Sequence, residues 1–84
     1  MTRYYFDVFD GHAITRDQVG FEIDDTRQVC RLAVDALPDL AREQLPDGDQ
    51  ATFSVTVRND GGAAVFRATL MFVAEWLPTE KNTD

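Results

Sequence analysis

The chain has 84 residues, enough for one small domain whose modest core favours support from a second subunit. Its single cysteine, Cys30, excludes an internal disulfide, and its single histidine, His12, leaves no Cys/His cluster for zinc. A net charge of −7, with the excess mainly in residues 24–50, repels phosphate backbones and anionic lipid heads, so neither nucleic-acid binding by a monomer nor membrane association is expected.

The first element is "RYYFDVFDG". Its alternation predicts a strand over residues 3–9, with Tyr4, Phe6 and Val8 on one face and Arg3, Tyr5, Asp7 and Phe9 on the other. Asp10-Gly11 is a turn signal. The start of the chain has no apolar run of signal-peptide length, and no segment reaches the roughly 18–20 apolar residues of a membrane span; a cytoplasmic protein is expected. After the polar stretch "HAITRDQ", "VGFEI" at 19–23 reads as a second strand antiparallel to the first, with Gly20 marking a bulge or a close backbone approach.

"DDTRQVCRLAVDAL" opens a helix. Asp25 is its N-cap, with Gln28 at capping-box spacing. Val29, Ala33, Ala36, Leu37 and Leu40 form one apolar stripe, opposite Arg27, Arg31, Asp35, Asp39 and Arg42. Pro38 lies on the polar side and is expected to kink the helix or divide it, and "PDGD" at 46–49 to stop it. "ATFSVTVR" then alternates, with Phe53, Val55 and Val57 inward. "NDGG" at 59–62 is a hairpin signal. A long last strand follows, with Phe66, Ala68, Leu70 and Phe72 on one face and Val65, Arg67, Thr69, Met71 and Val73 on the other.

These elements give an α+β fold: a two-layer ββαββ arrangement in which one helix packs on one face of a four-stranded, mostly antiparallel sheet. Residues 1–77 form a single domain and residues 78–84 a disordered polar tail.

"RYYFDVFDG", followed by "DQVGFEI" and "DDTRQVCRLAVDAL", resembles a family of short, mostly alphaproteobacterial proteins classed only as a domain of unknown function. The matching residues are Arg3, Tyr4, Tyr5, Phe6, Asp7, Val8, Asp10 and Gly11, then Asp17 and Gly20 in an Asp-x-x-Gly step, and Asp60-Gly61 at a hairpin turn. The likeness covers about residues 3–72 and implies a fold, not an activity. A second, looser likeness is to the HicB-like antitoxin fold, which implies an acidic module that neutralises a nuclease toxin; the Pro-x-x-Pro-Gly segment usual before its helix is absent here.

Asp7, Asp10, His12 and Asp17 cluster in sequence around the first turn, yet their spacing matches no metal loop, and turn-forming carboxylates account for them. Cys30 flanks the apolar stripe and reads as a buried structural thiol. The Tyr4–Phe6 aromatics lack the basic neighbours of a base-stacking platform. No catalytic constellation, cofactor motif or metal site emerges, so an enzyme is not expected. One helix covers one sheet face, which leaves Tyr5, Phe9, Val65, Met71, Val73 and Trp76 as a candidate interface. The expectation is an acidic protein-binding or regulatory module that forms a homodimer, with a further protein partner open. A ligand site between subunits, lined by Asp7, His12 and Arg67, is the other reading.

Overall fold

The computed structural model describes residues 2–44 and 48–78. In chain order the elements are β1 (Thr2–Phe9), β2 (Ile14–Thr15), β3 (Phe21–Ile23), α1 (Thr26–Gln44), β4 (Gln50–Arg58) and β5 (Ala64–Val73). All strand pairs are antiparallel, and the sheet runs β2-β1-β4-β5. β3 shares the outer edge of β1 with β2: Tyr4 pairs with Phe21, while Val8 pairs with Thr15. The α+β class and the single helix on one sheet face are as the sequence predicts; β2 is an addition, a two-residue strand within the stretch expected to be loop.

Asp25 caps α1, its carboxylate accepting the Arg27 N–H at 2.9 Å. The helix continues through Pro38 as one element, so it is not divided there. Pro38 and Val34 are both exposed, which lets water serve the Val34 carbonyl that a proline cannot bond. Val29, Ala33, Leu37 and Ala41 are buried at every fourth position, and Ala36 and Leu40 flank them. Ala41 extends the expected stripe by one turn. The "PDGD" stop signal falls partly on residues 45–47, outside the described residues, as does the tail from residue 79 on.

Phe53, Val55 and Val57 of β4 are the largest fully buried side chains. β4 is central because both its neighbours are long strands, and α1 lies across it; Phe6, Val8, Phe66 and Ala68 complete this layer. Paired residues share a face: Phe6 with Val57 and Phe66, Val8 with Val55 and Ala68. Phe6 and Phe21 meet edge to face, with centroids 5.7 Å apart. The β4–β5 hairpin is closed by Asn59, whose side chain accepts from the N–H groups of Gly61 and Ala63 at 3.0 Å each, with Gly62 at positive φ.

Candidate interaction surface

The sheet face away from α1 carries Tyr5, Asp7 and Phe9 of β1, then Arg58, Thr56, Ser54 and Thr52 of β4, then Arg67, Thr69, Met71 and Val73 of β5. At its β1 side the polar groups are tied together. Arg58 Nε donates to Asp7 Oδ2 at 2.6 Å, and Arg58 Nη2 donates to Asp7 Oδ1 and the Asp17 carbonyl at 3.0 and 3.1 Å. The same guanidinium lies 5.0 Å from the centre of the Tyr5 ring. Asp7 is 8% exposed, and the Arg58 hydrogen bond holds its carboxyl below the usual range against the opposing effect of burial.

Asp17 fills a gap in the sheet. β2 and β3 together leave the Phe6 N–H on the outer edge of β1 without a strand partner, and Asp17 Oδ2 accepts it at 3.1 Å. Asp17 Oδ1 accepts from Val19 and Gly20, and the Asp17 N–H donates to Asp7. Burial pushes the Asp17 carboxyl upward, but the N–H donors of Gly20, Phe6 and Val19 outweigh it and the net direction is down. Gly20 sits at φ 76°, and a Cβ there would lie 2.9 Å from the Tyr4 carbonyl. The Asp-x-x-Gly step is thus a backbone clamp.

Asp10 is a second turn carboxylate. Its Oδ1 accepts from His12 and Ala13 at 2.9 and 3.0 Å, and the donors of Ala13 and His12 lower its pKa. Among the described residues no three His, Cys, Asp or Glu side chains stand together as a metal-binding group. Asp7 and Arg67 line one depression of about 540 Å³ on the open face, and His12 lines another of about 370 Å³, so these three do not converge within one chain. Cys30 is half-buried, not buried as expected: it faces a cavity of about 380 Å³ between the start of α1 and the sheet.

The six candidate interface residues do not form one patch. Tyr5 and Phe9 are half-buried on β1, Tyr5 under Arg58. A strip of Thr52, Ser54 and Thr56 on β4 separates them from β5, where Arg67 Nε donates to Thr56 Oγ1 at 2.9 Å. Met71 is 71% exposed, Val73 58% and Trp76 100%. Val65 sits where the β4–β5 register shifts, and this irregularity brings it beside Phe66 and Tyr4 at the Cys30 cavity. Leu70 and Leu77 are also exposed. The apolar exposure therefore follows β5 and its extension rather than the whole open face.

Among the described residues no helix is long and apolar enough to cross a membrane. No curated protein and no solved structure matches the chain. The clamp residues Asp7, Asp17, Gly20 and Arg58 all lie within residues 3–71, the span matched by one family model, and the chain thereby belongs to the DUF6894 family, a domain of unknown function.

Proposed function

We propose that this protein is a protein-binding module that works through β5 and that its first partner is a second copy of itself. The supporting observation is the state of the two sheet edges. On the β1 side the edge is blunted by two strands of two and three residues and by the Asp17 clamp. β5 is ten residues long and pairs with β4 alone among the described residues. It carries one charge, Arg67, and no proline, and it exposes Val65, Leu70, Met71 and Val73. A long edge with a single charge, no proline and no covering strand is a template for another strand. Val65, Met71, Val73 and Trp76 belong to this interface; Tyr5 and Phe9 stand beyond the Ser/Thr strip and outside it.

A C2 contact uses one patch twice, and β5 suits this because an antiparallel strand pair is its own two-fold mate. Light scattering during size-exclusion chromatography at tens of micromolar protein tests the reading. A mass twice the 9.5 kDa of the chain is expected, and a mass near 9.5 kDa overturns it.

A further inference from the structure

The Ala74 N–H donates to the Asp49 carbonyl at 2.7 Å, one step beyond the Gln50–Val73 pair. In an antiparallel ladder the hydrogen-bonded pairs alternate, so the even-numbered residues of β5 exchange bonds with β4. From Arg67 to Val73, beyond the register shift, the odd-numbered residues turn their N–H and C=O groups outward. A second β5 can meet this row only odd to odd. Centring the axis on Thr69 sets Thr69 against itself and Arg67 against the partner's Met71, and brings Val73 to the start of the partner's β5, where the register shift begins. This register sets no like charges face to face.

The register has a consequence at the strand ends. Beyond Val73 the chain continues to Trp76, three residues or roughly 10 Å further when extended. In the paired strands that segment passes the start of the partner's β5, where Val65, Phe66, Tyr4, Val29 and Cys30, with Asn59 and two threonines, line a mainly apolar cavity of about 380 Å³. Even-numbered residues of β5 face the α1 side, and an extended path beyond the Ala74–Asp49 hydrogen bond, once paired with the second chain, gives Trp76 the same side. We propose that Trp76 of each chain seats in this cavity of the other, so that the dimer is a strand pair locked by two exchanged indoles. The inference rests on the β5 reading above. An aromatic side chain buries roughly 150–250 Å², and the exposed Met71, Val73 and Leu77 add apolar surface to the same contact.

Trp76 is the only tryptophan, so wild-type fluorescence reads this position alone. The experiment measures emission and iodide quenching at a protein concentration where light scattering gives the mass, together with the rate at which a thiol reagent labels Cys30. The expected result is a dimer with blue-shifted emission and quenching several-fold weaker than that of free tryptophan. Its Cys30 labels several-fold more slowly than in Trp76→Ala held at a concentration where that variant is also dimeric. A dimer with a solvent-like indole, or one in which Trp76→Ala leaves Cys30 labelling unchanged, overturns the seat and leaves the β5 reading standing. A monomer overturns both. If Trp76→Ala fails to dimerise at any concentration, Trp76→Phe replaces it, and faster labelling of Cys30 in that dimer is the supporting result.

Discussion

Arg58 on β4 grips Asp7 on β1 through two hydrogen bonds, of 2.6 and 3.0 Å, across neighbouring strands 51 residues apart in sequence. Both side chains are largely shielded from water, and Asp7 passes the order on by accepting the Asp17 N–H. The pair therefore fixes the central strands to each other and to the loop that covers the β1 edge.

Asp7 and Asp17 both have pKa values lowered by folding. A group with a depressed folded pKa contributes its full stability above its unfolded value, near 3.9, and loses that contribution as pH falls through the folded value. Asp7→Asn is expected to lower the urea midpoint at pH 7. The gap from wild type should narrow as pH drops below about 4, where the unfolded carboxylate begins to protonate, and be lost as pH falls through the lowered folded value. Urea titrations of both proteins between pH 7 and pH 2.5 check this, and a gap independent of pH contradicts it.

Gly20 holds two constraints together, a positive φ and a backbone neighbour. Gly20→Ala incurs the left-handed penalty of about 1–2 kcal/mol. The Tyr4 carbonyl 2.9 Å from the new Cβ adds to it, since backbone yields less than a flexible side chain. Gly62 has φ 89° but nothing near its absent Cβ, so Gly62→Ala should cost only the conformational part. Chemical denaturation of the two variants side by side is the measurement, and Gly20→Ala should be the less stable.

The alternation in "ATFSVTVR" predicts the burial of Phe53, Val55 and Val57, because a central strand leaves its inward face no alternative. The face of each β5 residue is legible in the same way up to the register shift at Val57 and Arg58, which turns Val65 toward the cavity; an extra residue in a ladder leaves no mark in a periodic pattern. The Arg58–Asp7 pair is invisible for another reason. It depends on β1 and β4 being neighbours, and pairing order is a property of the whole sheet. The expected apolar patch divides because Tyr5 and Phe9 belong to one strand and Met71 and Val73 to another, and the strand between them, β4, turns Thr52, Ser54 and Thr56 outward. Asp17 and Gly20 stand out in the sequence as a motif, but only the paths of β2 and β3 reveal that the motif closes a gap between them.

Asn59 supports the hairpin that presents β5. Its side chain satisfies two N–H groups of the turn, and removing one such bond costs about 0.5–1.5 kcal/mol. Asn59→Ala is expected to lower thermal stability by that order. It should leave the dimer's mass unchanged at concentrations well above the dissociation constant, where a modest weakening at the cavity that Asn59 helps to line does not dissociate the pair. A calorimetric scan and a light-scattering mass on the same sample separate the two effects.

The proposed register places Met71 directly opposite the partner's Arg67, and this gives a charge test with opposite outcomes from one position. Met71 is 71% exposed and on the face away from α1, so either charged replacement leaves the core intact. Met71→Arg sets two guanidinium groups against each other across the axis, and symmetry makes this happen twice. Met71→Asp sets a carboxylate against a guanidinium, also twice. A cross-strand charge pair is worth roughly 0.2–1 kcal/mol, stabilising for opposite charges and destabilising for like ones. Two pairs of opposite sign in the two variants then differ by about 0.8–4 kcal/mol and separate their dissociation constants by about fourfold to several-hundredfold. Both variants lose the apolar contact of Met71, so each is expected to dimerise more weakly than wild type, and Met71→Arg far more weakly than Met71→Asp. Sedimentation equilibrium at low and at high salt measures both constants. The difference should shrink in high salt as screening sets in. Equal constants for Arg and Asp at position 71, or an Arg variant that associates more tightly, would rule out the Thr69-centred register.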